Sequence, residues 1–164
     1  MRPRPDPVSP GQISVWSFPR PAVAEPCPAH VVIEHHGTVV ADTRQSVRTL
    51  ETSHPPSYYL PRKDIASGVL RRTSGSSFCE WKGTAIYWDV VIGDIVLPRV
   101  GWSYPDPSPA FALLRDHVAF YATPFDRCSV DGHTVLPQAG EFYGGWITPD
   151  LAGPFKGIAG SMGW

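Results

Sequence analysis

A carboxylate and an imidazole stand three residues apart in the segment Glu51-Thr52-Ser53-His54, which two prolines follow. Histidine titrates near neutral pH and a neighbouring carboxylate can orient it, so Glu51 and His54 could carry protons as an acid/base pair. Thr52 and Ser53 would then help to hold a ligand. The alternative is that residues 51–53 only cap a proline-rich turn through hydrogen bonds to the backbone, with His54 half exposed. The sequence leaves both roles open.

Two further side chains with chemistry of their own are Cys79 and Lys82. Lys82 precedes Gly83, and a glycine lets a ligand approach the backbone closely, so Lys82 could stabilise the negative charge of a bound anion. Alternatively, Lys82 is an ordinary surface lysine whose aliphatic side-chain carbons lie on apolar neighbours. Cys79 could be a nucleophile if a nearby cation supported its thiolate. A lone cysteine between aromatic residues is more often a small buried hydrophobe, and we expect Cys79 to line the site.

Aromatic residues near these groups predict a pocket for a small molecule. Tyr58, Trp102 and Tyr104 neighbour prolines in loops, and rings with hydroxyl or indole donors are typical of small-ligand sites. We place Trp88 in the core instead. The leading hypothesis is a domain that binds or converts a small polar or anionic ligand. Its catalytic residues would be Glu51, His54 and Lys82. Its ligand-binding residues would be Thr52, Ser53, Tyr58, Arg62, Cys79, Trp102 and Tyr104.

The charge and cysteine content limit the partners of such a site. Lys and Arg number 14 against 15 Asp and Glu, a formal net charge of −1, so no global field favours nucleic acid or an anionic membrane. No apolar run approaches the ~18 residues of a membrane span, and no signal-peptide pattern begins the chain, which predicts a cytoplasmic protein. The three cysteines are isolated, so we expect neither disulfides nor a metal site. The residues identify no cofactor, and we expect a monomer or weak homodimer.

The elements that must position these residues are short strands. The 19 prolines and 15 glycines punctuate the chain, which favours strands and turns over long helices. We predict one mostly β, antiparallel domain with one or two short helices, at 61–69 and about 109–115. Strand 46–51 ends at Glu51, with Val47, Thr49 and Glu51 on one face, and strand 84–92 is central. The pairs His36-Gly37 and Asp131-Gly132 predict tight turns, and the helix at 61–69 ends before a polar stretch at 73–76.

The two ends of the chain differ in composition from the middle. Residues 1–28 are rich in proline and should form an arm on the domain, with a strand only at 12–18. Residues 29–136 form the β core. Residues 137–164 combine glycine with large rings, so this extension should pack on the core and bury them.

Three stretches carry a resemblance to a known family. They are Glu51-Thr52-Ser53-His54-Pro55-Pro56-Ser57-Tyr58-Tyr59, Ser77-Phe78-Cys79-Glu80-Trp81-Lys82-Gly83 and Trp102-Ser103-Tyr104-Pro105. In that order and spacing they resemble the bacterial domain of unknown function 427, over residues 2 to about 133, and the extension looks like that of its longer members. The resemblance implies an antiparallel β structure similar to the β-tent domains. Many β-tent domains bind zinc through paired C-x-x-C motifs, which this chain lacks, so no zinc is carried over.

Two other functions stay open beside the ligand-binding hypothesis. The arm and the extension could mediate self-association or partner contact, which predicts large exposed aromatic patches. The resemblance also implies a nucleotidyltransferase activity, which commonly uses closely spaced aspartates to hold two metals. The chain contains no Asp-x-Asp pair to support that activity.

Overall fold

A computed structural model describes residues 2–140 and 142–164, and it confirms a mostly β, antiparallel fold. Over these residues the chain forms fifteen strands: β1 Ile13–Ser14, β2 Val23–Cys27, β3 Val31–His35, β4 Thr38–Thr43, β5 Ser46–Leu50, β6 Ser57–Pro61, β7 Leu70–Cys79, β8 Gly83–Ile92, β9 Ile95–Ser103, β10 His117–Phe120, β11 Arg127–Val130, β12 His133–Thr134, β13 Leu136–Pro137, β14 Trp146–Ile147 and β15 Leu151–Ala152. The helices of the described residues are three short 3₁₀ segments, Val15–Ser17, Arg62–Asp64 and Pro109–Leu114.

Two antiparallel sheets dominate the fold. The larger has seven strands in the order β2-β5-β6-β10-β9-β8-β7, and the smaller has four in the order β12-β11-β3-β4. Two predicted hairpin turns of the smaller sheet are confirmed, because His36-Gly37 and Asp131-Gly132 have positive φ angles that range from 49° to 80°. Such angles match the twist of the flanking strands and explain why each turn contains a glycine.

The main core lies between these two sheets. Successive side chains of a strand point to opposite faces, so one set of residues from each sheet meets in the middle. The smaller sheet contributes Val31, Ile33 and Val40, all fully buried, and the larger contributes Leu60 and Val118 from β6 and β10. Burial of this apolar surface is the main favourable term that holds the sheets together.

The other face of the seven-stranded sheet carries a second row of side chains. Cross-strand pairing aligns Val47, Tyr59, Ala119, Trp102 and Tyr87 across five neighbouring strands. Ala119 is small, so the rings of Tyr59 and Trp102 meet above it in an edge-to-face arrangement with centroids 6.2 Å apart. The 3₁₀ helix Pro109–Leu114 covers one end of this face, and the other end is concave and open.

The predicted helix at 61–69 is wrong, and the polar stretch at 73–76 belongs to a strand that was not predicted. Only Arg62–Asp64 is helical, as a single 3₁₀ turn, and residues 73–76 lie inside strand β7. Strand β7 is the edge of the large sheet, and its outer side is exposed, so a polar sequence is compatible with a strand there. The register shifts between Thr73 and Ser76, where Gly75 has a φ of +96°, so the glycine marks a bulge and not a loop.

The arm enters the large sheet, contrary to the prediction of a strand only at 12–18. Strand β2 pairs with β5 and forms the opposite edge of that sheet. Pro26 lies within it, and an edge strand accepts a proline because one side of the strand needs no ladder hydrogen bonds. The predicted strand at 12–18 is reduced to β1, which pairs in parallel with β15 of the extension.

The extension lies along the domain. The Trp146 side chain is fully buried, stacks on Tyr58 with ring centroids 5.3 Å apart, and donates an indole hydrogen bond to the Phe120 carbonyl oxygen at 2.9 Å. Not every ring of the extension is covered, because Phe142 is 78% exposed. The extension thus crosses from the core between the sheets to the open concave face.

Candidate functional site

A cavity of about 350 Å³ lies on the open face of the seven-stranded sheet. Its floor is formed by strands β5, β6, β8 and β9, and its rim by Glu51, His54 and Pro55, by residues 80–82, and by Gln138 and residues 142–144. Six residues proposed from the sequence line it, namely Glu51, His54, Cys79, Lys82, Trp102 and Tyr104. The structure therefore brings together groups from three segments that are far apart in the chain.

The floor of the cavity is aromatic and presents hydroxyl groups. Trp102 donates its indole N–H to the Tyr59 hydroxyl at 3.2 Å, and its ring lies 4.7 Å from that of Tyr121. Burial raises the pKa values of Tyr59, Tyr104 and Tyr121, so their hydroxyls stay protonated. The floor can therefore contact an apolar ligand body and still offer hydrogen bonds.

Thr52 and Ser53 do not line the cavity, so the structure separates them from the other residues proposed for the site. The Thr52 hydroxyl donates to the Phe18 carbonyl oxygen at 2.6 Å, and the Ser53 N–H donates to the Val15 carbonyl oxygen at 3.0 Å. On its other side, the Ser53 carbonyl oxygen accepts from the Lys156 N–H at 2.9 Å. These two residues therefore fasten the loop to both the arm and the extension.

Ser53 occupies an unusual position in this loop. Its φ is +74°, a left-handed conformation that non-glycine residues rarely adopt, and it is fully buried. Its hydroxyl has no hydrogen-bond partner among the described residues. Backbone strain persists only where the surroundings fix it, and here the bonds from Ser53 to the arm and the extension do so.

Glu51 and His54 stand on either side of this fixed turn and face each other. His54 Nε2 lies 3.4 Å from Glu51 Oε2, and Arg20 Nη2 lies 3.9 Å from the same oxygen. Burial is the largest single influence on Glu51 and by itself would raise its pKa, but the hydrogen bond from His54 and the nearby charges together outweigh it, so the pKa is lowered. The charges of Lys82 and Arg20 add to the lowering. Glu51 is therefore an ionised hydrogen-bond acceptor at the cavity wall.

Lys82 and Cys79 approach the same cavity from the β7–β8 hairpin. Lys82 Nζ lies 5.7 Å from the centre of the Phe111 ring, and Cys79 is a free, half-buried thiol. Gly83 has a different role from the predicted one, because a side chain there would meet the Asp106 carbonyl oxygen at 3.2 Å. This glycine lets the loop at 106–108 approach and does not admit a ligand.

Tyr58 and Arg62 lie away from the cavity, so their placement in the site is corrected. Tyr58 alternates with Tyr59 along β6 and points into the core, where burial raises its pKa to about 12. Arg62 lies over the ring of Trp88 at 4.9 Å from its centre. Trp88 itself is only partly buried and packs at the margin of the core.

Several lining residues were not predicted from the sequence, and Tyr59, Gln138 and Tyr143 are the main ones. Strand alternation could have found Tyr59, because it shares a face with Ser57 and hence with the end of the loop. No local signal could have found Gln138 or Tyr143, because they reach the cavity through the fold of the extension.

The described residues contain no group of three or more His, Cys, Asp or Glu side chains that could hold a metal ion. Within residues 2–140 and 142–164, no helix combines the length and the apolar character that crossing a bilayer requires.

Comparison with curated proteins finds no match for this chain. The family model of the domain of unknown function DUF427 matches residues 23–131, which is more than half of the chain. The matched part includes strands β2 to β11 and most of the cavity, while the rim residues Gln138 and 142–144 lie beyond it. The chain belongs to the DUF427 family.

Proposed function

We propose that this protein binds a small organic molecule in the cavity, with an apolar body against the aromatic floor and a polar or anionic group at the rim. The observation that carries the proposal is the shared cavity. Glu51 and His54 belong to one loop and Lys82 to the β7–β8 hairpin, and the three converge on one cavity of about 350 Å³. A concave, mostly apolar site with a few convergent polar groups is the usual form of a small-ligand pocket.

The polar groups of the rim suggest how such a ligand is oriented. Lys82 supplies a positive charge for an anionic group, and the ionised Glu51 accepts a hydrogen bond from a donor on the ligand. In a reaction at this site, Glu51 would accept the proton and Lys82 would stabilise the negative charge that develops. We also propose that the protein is a monomer and that it is located in the cytoplasm.

A ligand screen by NMR tests the proposal. The probe set is a panel of small aromatic carboxylates, phosphate esters and neutral isosteres of the same shape, added to protein labelled on the tryptophan indoles. We expect the anionic members to shift the Trp102 indole signal, and Lys82→Gln to weaken their binding by roughly 10- to 100-fold, since loss of a charge-assisted hydrogen bond costs about 1.5–3 kcal/mol.

Lys63→Gln is the matched control, because Lys63 is an exposed lysine whose side chain contacts Asp64 and does not line the cavity. If every shift fell outside the cavity, or if the Lys82 and Lys63 variants lost affinity equally, the proposal would be refuted.

The packing of the two termini supports the self-association alternative less than the cavity supports ligand binding. The arm and the extension bond to the chain's own loop through Val15, Phe18 and Lys156. Phe78 and Phe142, which are both more than three-quarters exposed, stand at the cavity mouth. Light scattering at increasing concentration checks this alternative, and we expect a monomer throughout.

A further inference from the structure

The side chain of Gln138 is buried beside the cavity and makes three hydrogen bonds. Its Oε1 accepts from the Gly145 N–H at 3.0 Å, and its Nε2 lies 2.8 Å from the Lys156 carbonyl oxygen and 3.1 Å from His54 Nδ1. Gln138 is 5% exposed. All of these partners except His54 are backbone groups of the extension.

These backbone partners determine which way the Gln138 amide points. A backbone N–H can only donate, so the atom facing Gly145 is the amide oxygen. A carbonyl oxygen can only accept, so the atom facing Lys156 is the amide nitrogen. One hydrogen of the NH₂ group goes to Lys156, and the other points at His54 Nδ1. The donor at Gly145 and the acceptor at Lys156 therefore fix the orientation of the Gln138 amide.

An NH₂ group that points at a ring nitrogen requires that nitrogen to be an acceptor. His54 Nδ1 therefore carries no hydrogen, and in the neutral ring the hydrogen is on Nε2. Nε2 is the atom that faces Glu51 Oε2, at 3.4 Å. Polar contacts thus connect Gln138 through His54 to Glu51. Tyr143 packs edge-on against the His54 ring, with centroids 4.7 Å apart, and limits its rotation.

We propose that Gln138 is a positioning residue, which holds His54 as its neutral Nε2–H tautomer so that His54 donates to Glu51 and fixes that carboxylate at the cavity wall. The inference rests on the proposed function, since it assigns separate tasks to residues of the same site. Glu51 is the group that meets the ligand. Both ring nitrogens of His54 are occupied, so His54 orients Glu51 and does not exchange protons with the ligand.

The assignment gives the extension a part in the site. Gln138 lies outside the residues that match the DUF427 family, as does Tyr143. Both reach His54 because the extension folds back over the loop, with the Lys156 N–H bonded to the Ser53 carbonyl oxygen. The same segment that fastens the loop therefore sets the tautomer of its histidine.

Nitrogen NMR of the imidazole rings tests this assignment on the full-length protein without any ligand. With ¹⁵N-labelled histidine, long-range correlation spectra distinguish a ring nitrogen that bears hydrogen from one that does not. Near neutral pH we expect His54 to show a bare Nδ1 and a hydrogen on Nε2. The opposite tautomer, or an averaged mixture, in the wild-type protein would overturn the proposal, and this measurement needs no variant.

Substitution of Gln138 separates positioning from mere support of the fold. In Gln138→Glu a carboxylate accepts where the amide donated, so we expect Nδ1 to gain a hydrogen and its bare-nitrogen signal to be lost. In Gln138→Met the ring should show a mixture of tautomers. Gln45→Glu is the control, because Gln45 is exposed and far from the cavity lining, and it should leave the His54 spectrum unchanged. An unchanged His54 tautomer in both Gln138 variants would refute the positioning role.

The outcome is independent of the ligand screen. A correct tautomer in a protein that binds no panel member would support the positioning of Glu51 by Gln138 and refute the proposed function. The opposite tautomer in a protein that binds panel members would refute the positioning of Glu51 by Gln138 and support the proposed function.

Discussion

Replacement of Gly144 by alanine should strain the contact between the extension and the cavity floor. A Cβ atom at residue 144 would lie 2.8 Å from Trp102 Cζ3, closer still to its Cη2, and 3.2 Å from Tyr121 Cδ1. Carbon atoms at rest stand about 3.5–4.0 Å apart, so the indole or the extension has to move by roughly 1 Å. Trp102 is 8% exposed and bonded to Tyr59, which leaves it little room to yield.

The expected cost is that of an overpacked core, about 1–3 kcal/mol of the free energy of unfolding. Replacing glycine also lowers the entropy of the unfolded chain, which offsets about 0.4–1 kcal/mol. In a protein of this size 1 kcal/mol shifts the melting temperature by about 2–4 °C, so we expect a decrease of several degrees. Urea unfolding followed by tryptophan fluorescence, together with calorimetry, measures both quantities.

Gly163→Ala is the matched control for this substitution. Gly163 belongs to the same extension, but a Cβ atom there would meet nothing within 4 Å. It should change stability by less than ~0.5 kcal/mol, as surface substitutions usually do. Equal stability of the two variants would show that the extension is not held against Trp102, and the description of the cavity rim would fail with it.

Three further predictions concern the site. Gly145→Ala should displace the Gln138 amide, since the added Cβ would lie 2.6 Å from its Oε1, and the His54 nitrogen spectrum should then show mixed tautomers; an unaltered spectrum would contradict this. Iodoacetamide should modify Cys79 long before Cys128, whose pKa burial raises to about 12, and mass spectrometry of the native protein will show the order. The lowered pKa of Glu51 stabilises the fold above the pKa of the unfolded chain, and this contribution is lost as pH falls through the folded value. The difference in unfolding free energy between wild type and Glu51→Gln should therefore shrink in acid, and a constant difference would contradict the assignment.

Local sequence patterns were sufficient to predict most of the fold. The turns at 36–37 and 131–132 were identified because glycine after a polar residue favours positive φ angles, and the alternation in residues 84–92 identified β8. The same reasoning placed Glu51 on one face with Thr49, and both line the cavity. An alternation with a period of two residues is a local property of the sequence, so it can be interpreted without knowledge of the tertiary structure.

Predictions failed where both faces of a strand are buried. In β6 Tyr58 and Tyr59 are both aromatic and almost fully buried, so alternation shows that they diverge but not which one faces the cavity. The choice is made by pairing with β5 and β10, which brings Tyr59 beside Val47 and Ala119. Strand β7 was missed for another reason. The polar sequence of an exposed edge strand is indistinguishable from that of a loop.

The long-range bonds of residues 51–54 explain why polar density alone misassigned half of this segment. The Thr52 hydroxyl and the Ser53 backbone bond to the arm and the extension, whereas the Glu51 and His54 side chains face the cavity. The two tasks depend on each other. A carboxylate can meet a ligand in a fixed direction only if its loop does not move, and here that loop is held by segments more than 30 residues before and 80 residues after it in the sequence. Weakening the extension should therefore loosen Glu51 before it exposes the core between the sheets.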